Sequence, residues 1–245
     1  MKILNTTIAT LCVLTFSIVG SVQAQHFDVE FGYFDGGIEF ESEGPGIDSA
    51  GVFETEFEVF NPDGTQLAED PGFASNFVEG TETFNTASGD SIFINVNQSS
   101  TFGTYLTYFN PQTGQFEATD ASITIEDNSP AVTSDLVVTG TGLSGDLSQF
   151  LVTSNGSEID THVDYILSAD AQDGAYGLLL NLTSDNLSGE LTNVESEQFF
   201  VVFNNGLSER AFEGAVDNFI GNAIPEPSAC FVLSMLTLGA LRRRR

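Results

Sequence analysis

The chain has 245 residues, with 35 acids against six Lys and Arg and a formal net charge of −29 at pH 7. Every Lys and Arg except Arg210 lies in residues 1–24 or 224–245, and every Asp and Glu except Glu226 lies between them, so 25–223 holds 34 acids against one arginine. Such a surface repels nucleic acid and anionic lipid, which excludes both as partners of this region. It suits divalent cations, or a salty medium in which self-repulsion is screened.

Residues 1–24 begin with Lys2, run through TIATLCVLTFSIVG and end on V-Q-A. A basic start, a short apolar run and small residues at −3 and −1 before Gln25 predict a signal peptide read by the secretion machinery. The run is shorter than the ~20 residues a bilayer span needs. Leu11 precedes Cys12 where a lipoprotein signal needs a small residue. Both cysteines, Cys12 and Cys230, fall in the end segments, so the region between has no disulfide or thiol chemistry. A domain of ~200 residues buries enough core without such staples.

Residues 25–223 read as one acidic, all-β ectodomain with a single helix at its end. VEFGYF and IEFES flank Asp35-Gly36-Gly37, a hairpin signal. In FETEFEV (53–59), Phe53, Thr55, Phe57 and Val59 alternate with glutamates, which predicts a half-buried strand with an acidic outer face. SIFINVN (91–97), FGTYLTYF (102–109), SITIED (122–127), DLVVTGTG (135–142), THVDYILS (161–168), YGLLLNLTS (176–184) and QFFVVFN (198–204) follow. Turn-rich pieces such as NPQTG (110–114) and SNGS (154–157) separate them. This spacing predicts an antiparallel β-sandwich or a jelly roll. Twenty-two phenylalanines and no tryptophan supply the bulk of its core.

LSERAFEGAVDNFIGN then changes period. Ser208 is placed as N-cap and Glu209 in the first turn. Ala211, Phe212, Ala215, Val216, Phe219 and Ile220 recur at helical spacing and give one apolar face for packing on the sandwich. Pro225 and Pro227 end the helix and mark a linker.

The ectodomain has two histidines, each near aspartate. In IDTHVDYIL (159–167), strand alternation puts Asp160, His162 and Asp164 on one face and Ile159, Thr161, Val163, Tyr165 and Leu167 on the other. His26 and Asp28 are likewise same-face neighbours. Imidazole nitrogen with carboxylate oxygen suits a borderline divalent ion. A surface His–Asp pair worth little is the alternative. Motifs of catalysis are missing: the sequence has no GxSxG, HExxH, CxxC pair, P-loop or GxGxxG. A region with no lysine, no thiol and one arginine lacks most nucleophiles and oxyanion clamps, so it is expected not to be an enzyme. Carboxylate pairs suited to glycoside hydrolysis arise by chance among so many acids. Tyr105, Tyr108 and Phe109 leave a carbohydrate-binding role in an exopolysaccharide matrix as the alternative function.

PEPSACFVLSMLTLGALRRRR sets Pro225, Glu226 and Pro227 before an apolar segment and Arg242, Arg243, Arg244 and Arg245. Residues 224–245 resemble the PEP-CTERM sorting tail of Gram-negative bacteria. The resemblance implies export and transient seating of 229–241 in the inner membrane, with the arginines cytoplasmic. It also implies processing by an exosortase-type enzyme and a destination at the cell surface or in the extracellular matrix.

DPGF (70–73), GAYGLLLNLTS (174–184) and FFVVFNNGLSE (199–209) further resemble a group of secreted PEP-CTERM proteins that includes cyanobacterial members under zinc-uptake-regulator control. In that group mature chains begin near H-x-D and carry H-x-H on the strand before YGLLL. The resemblance implies His26, Asp28 and His162 as ligands of zinc. Asp160 stands where the pattern has its first histidine, which makes calcium a competing ion.

Overall fold

A computed structural model describes residues 28–40, 47–48, 51–75, 77–79, 82–126, 134–156 and 159–223. The signal-peptide and sorting-tail segments lie outside the described residues, and so does His26. No helix among the described residues is long and apolar enough to cross a membrane.

The hairpin predicted at Asp35-Gly36 is present. Asp35 and Gly36 take φ of 47° and 79°, and their turn pairs Val29–Phe34 with Gly37–Phe40. Two consecutive positive φ values match the twist of the flanking strands. The strands predicted at 91–97, 122–127, 135–142, 176–184 and 198–204 form close to those positions, while Gln115–Glu117, Leu143–Ser144 and Ser148–Thr153 are strands that the sequence reading did not name. Leu106–Asn110 starts later than its apolar pattern, because Gly103 (φ 71°) donates its N–H to the Ser99 carbonyl in a preceding turn.

Gly174–Ser184 organises the largest, eight-stranded sheet. Phe199–Asn205 pairs along one side of it, and Leu106–Asn110 and Ser91–Asn97 share the other. Six strands form a second sheet, in the order Leu143–Ser144, Leu136–Thr139, Ser122–Glu126, Asp164–Leu167, Gln66–Ala68, Val59–Phe60. Ile94, Leu178, Leu180 and Phe203 from the first meet Ile123, Ile125, Tyr165 and Leu167 from the second in one buried core. Two sheets packed face to face around that core make a β-sandwich. A smaller sheet runs Asp160–Thr161, Phe73–Ala74, Val29–Phe34, Gly37–Phe40.

The helix Glu209–Ala223 covers the outer face of the largest sheet. Phe212, Ala215, Val216 and Phe219 pack on Val52, Phe109, Ala175, Phe200 and Val202. Phe199–Asn205 is therefore buried on both faces, which explains its unbroken apolar run. The Ser208 carbonyl accepts from the N–H groups of Ala211 and Phe212, as a residue at the N-cap does. Gly177 lies directly beneath the Phe219 ring, where a Cβ would overlap it.

Two further features of the sheets depart from the sequence reading. The sheets are mixed: Val52–Glu56 pairs in parallel with Phe199–Asn205, and Val29 and Glu30 in parallel with Phe73 and Ala74. Only a short hairpin loop forces the antiparallel direction, and these partners are joined by long stretches of chain. The strand through FETEFEV also stops at Glu56. Phe53, Thr55 and Phe57 are buried as expected, but Val59 is 46% exposed. It belongs instead to Val59–Phe60, the last strand in the order of the second sheet.

Candidate metal centre

The two-residue strand Phe73–Ala74 sets the geometry of the site. It pairs in parallel with Val29–Glu30 on one side and antiparallel with Asp160–Thr161 on the other. Val29, Phe73 and Thr161 are aligned across the three segments. One step further along, the same register aligns Asp28, Gly72 and His162. A Cβ on Gly72 would stand 2.5 Å from both Asp28 Oδ1 and His162 Cε1. The glycine is therefore the floor over which both side chains converge. Asp70 lies two residues earlier, joined to Pro71 by a cis peptide bond. Its carbonyl accepts from the buried Thr55 hydroxyl at 2.9 Å, which fixes the segment against the largest sheet.

One ligand atom from each of Asp28, Asp70 and His162 falls within 4.8 Å of the others. His162 Nδ1 is 3.1 Å from the Glu69 carbonyl and 3.6 Å from Asp70 Oδ1, and Nε2 is 3.5 Å from Asp160 Oδ1. The Asp70 side chain is 30% exposed and that of Asp160 73%, so Asp160 sits at the mouth. Glu56, Glu58 and Glu69 join Asp70 and His162 in lining a recess of about 160 Å³.

The electrostatics are those of crowded carboxylates around one imidazole. Burial raises the Asp28 carboxyl above its usual range. Asp160 and Asp70 add to that rise, while His162 and the Gly72 N–H oppose it. For His162, burial disfavours the charge, but the Glu69 carbonyl with Asp28, Asp70 and Asp160 outweighs it and the net shift is upward. A proton on His162 thus balances the carboxylates when no other cation does. A divalent ion does the same more effectively, through direct bonds to oxygen and nitrogen.

The sequence-predicted residues separate into three groups. Asp28, Asp160 and His162 come together. His26 lies outside the described residues. Asp164 is on another sheet: the strand through IDTHVDYIL breaks at His162–Val163, and Asp164 pairs across from Glu126. Its charge raises the Glu126 carboxyl, after burial and Asp135. Inward alternation nevertheless persists through the break, with Ile159, Val163, Tyr165 and Leu167 all buried. Sequence reasoning missed Asp70 as a candidate ligand. DPGF held the signal, since an acid two residues before a glycine between strands can share that glycine's face.

No protein-family model and no curated protein matches the sequence. Among solved structures the chain is similar to the ASH/PapD-like domain 7 of human CEP192. The TM-score is 0.32 at 11% identity, covering 64% of this chain and 82% of that one. A TM-score that low carries no assignment, and the architecture stands on the strand pairing within this chain.

Proposed function

We propose that the chain is an exported, non-enzymatic protein of the cell envelope or extracellular matrix that holds one divalent cation at Asp28, Asp70 and His162. The observation that carries the reading is the convergence of these ligand atoms, from three separate segments, within 4.8 Å, with Asp28 and His162 meeting over Gly72. One nitrogen with carboxylate oxygens is the donor set of zinc and similar borderline ions. Calcium takes six to eight oxygens, and the imidazole counts against it.

Calorimetric titration of the purified protein with zinc and with calcium tests this. The expected result is one zinc per chain, weaker calcium, and loss of zinc binding in His162→Ala and Asp70→Asn. A parent that binds neither ion, or a His162→Ala variant that binds like the parent, overturns it.

Sorting is supported by Pro225-Glu226-Pro227, the apolar 229–241 and Arg242–Arg245. Processing by an exosortase-type enzyme predicts released protein that ends near Pro227. Mass spectrometry that finds the four arginines on released protein refutes the sorting reading.

A further inference from the structure

The outer face of the largest sheet changes character along one strand. Ala175, Gly177 and Leu179 pack against the helix side, whereas Asn181 and Thr183 continue the same face as polar residues. Cross-strand partners extend this second half. Phe150, Phe93 and Thr183 form one row, Ser148, Asn95 and Asn181 the next, and Asn97 lies opposite Leu179.

Three properties of this face bear on what it binds. Ser91–Asn97, Ser148–Thr153 and residues 179–184 contain no charged residue, in a region that holds 34 acids. Its acidic border is the exposed Glu195, bridged to Thr183. The amides are also held in place: Asn95 Nδ2 donates to Thr183 Oγ1 at 3.0 Å, and Asn97 Nδ2 donates to Asn181 Oδ1 at 2.7 Å. Those bonds leave the Asn95 and Asn97 carbonyl oxygens as acceptors and the Thr183 hydroxyl hydrogen as a donor. Beside them the half-buried rings of Phe93 and Phe150 meet edge to face at 6.0 Å.

We infer that this face binds a neutral polysaccharide laid along the sheet. Fixed acceptors and a donor match the hydroxyls of a sugar chain, and side chains already tied to one another lose little freedom on binding. One ring of this edge-to-face pair offers its face to the apolar side of a sugar. Charge selects the class. Glu195 at the border and the net acidity of 25–223 repel uronate- or sulfate-bearing polymers and nucleic acid, and the strands themselves hold no charge to attract a cationic one. The face is on a different sheet from the cation site and does not depend on it.

The test is affinity electrophoresis of the purified protein through gels containing xyloglucan, galactomannan or dextran, with alginate as the anionic control. At least one neutral polymer retards the protein, and EDTA leaves the retardation unchanged. Combining Asn95→Ala with Thr183→Val weakens binding about tenfold, the effect of losing one to two neutral hydrogen bonds. Asn97→Asp, which keeps the side chain's shape and adds a charge, is the second variant if the double one melts early. The inference fails if no neutral polymer retards the protein, if only alginate does, or if folded variants bind like the parent. Loss of binding on chelation also overturns it, by moving the interaction to the cation site. A failed zinc titration leaves it untouched. Binding by another protein along the Ser148–Thr153 edge in place of the polymers would likewise refute it.

Discussion

Asp28 and His162 stand on either side of Gly72 in one cross-strand row, and both side chains use the space that a Cβ on Gly72 would fill. The row joins the first described strand to a segment that comes much later in the chain. A cation held there links parts of the chain that no short loop connects.

Gly72→Ala tests the floor of the site. The glycine is not among the positive-φ residues, so the backbone accepts alanine and the effect is steric. The added methyl pushes Asp28 and His162 apart. Zinc affinity is expected to fall about tenfold to a hundredfold, the range seen when a ligand's orientation is disturbed. Calorimetry of the variant beside a thermal melt checks it: affinity should fall by far more than stability.

The pH dependence follows from His162. Its pKa lies above 6.5 in the metal-free fold, despite burial, because Glu69 and three carboxylates favour the charged ring. The stability this contributes is fully present below about pH 6.5 and is lost as pH rises through the folded-state value. Asp28, raised from 3.8 mainly by burial, acts in the same sense at lower pH. Zinc competes with the His162 proton, so its affinity should rise over the same interval. Thermal melts from about pH 6 to 8, with and without zinc and in parent and His162→Gln, separate this group from the general acidity. The stabilisation by zinc should grow with pH in the parent alone.

Gly177→Ala should loosen the helix. A Cβ there overlaps the Phe219 ring, which sits between Phe116 and Phe200 and has no free side to move into. The expected cost is about 1–3 kcal/mol. Phe219→Ala alone should cost about 3–5 kcal/mol. In the double variant the clash is gone, so the two effects should not add. Denaturant unfolding of the three variants measures this coupling.

Tyr165→Phe is expected to be neutral or stabilising. The Tyr165 hydroxyl is fully buried and has no hydrogen-bond partner among the described residues, and burial alone holds its proton on far above the usual range. Removing an unsatisfied hydroxyl costs no hydrogen bond and relieves a desolvation penalty of about 1–3 kcal/mol. A melting temperature several degrees below the parent's would show that the hydroxyl has a partner, such as an ordered water.

Much of the fold follows from local pattern. Asp35-Gly36 specifies its turn because few residues accept two positive φ values in succession. SIFINVN alternates, and it forms a strand with one buried face. FFVVFNN does not alternate, because the sandwich core lies on one side and the helix on the other. The mixed pairing of Val52–Glu56 was not legible, since strand direction across a long connection leaves no trace in either segment.

Between residues 25 and 223 the sequence by itself determined the chemistry on offer: two histidines, abundant carboxylates, no thiols, and a glycine in DPGF. It also placed Asp160 and His162 on one face, because side chains on an extended chain alternate whatever the strand pairs with. The tertiary structure decided the partners. Register across Phe73–Ala74 brought Asp28 and Asp70 to His162, and the strand break at His162–Val163 sent Asp164 to another sheet. Periodicity is a property of neighbours along the chain. A ligand set is a property of neighbours in space, fixed only when separate strands choose their register.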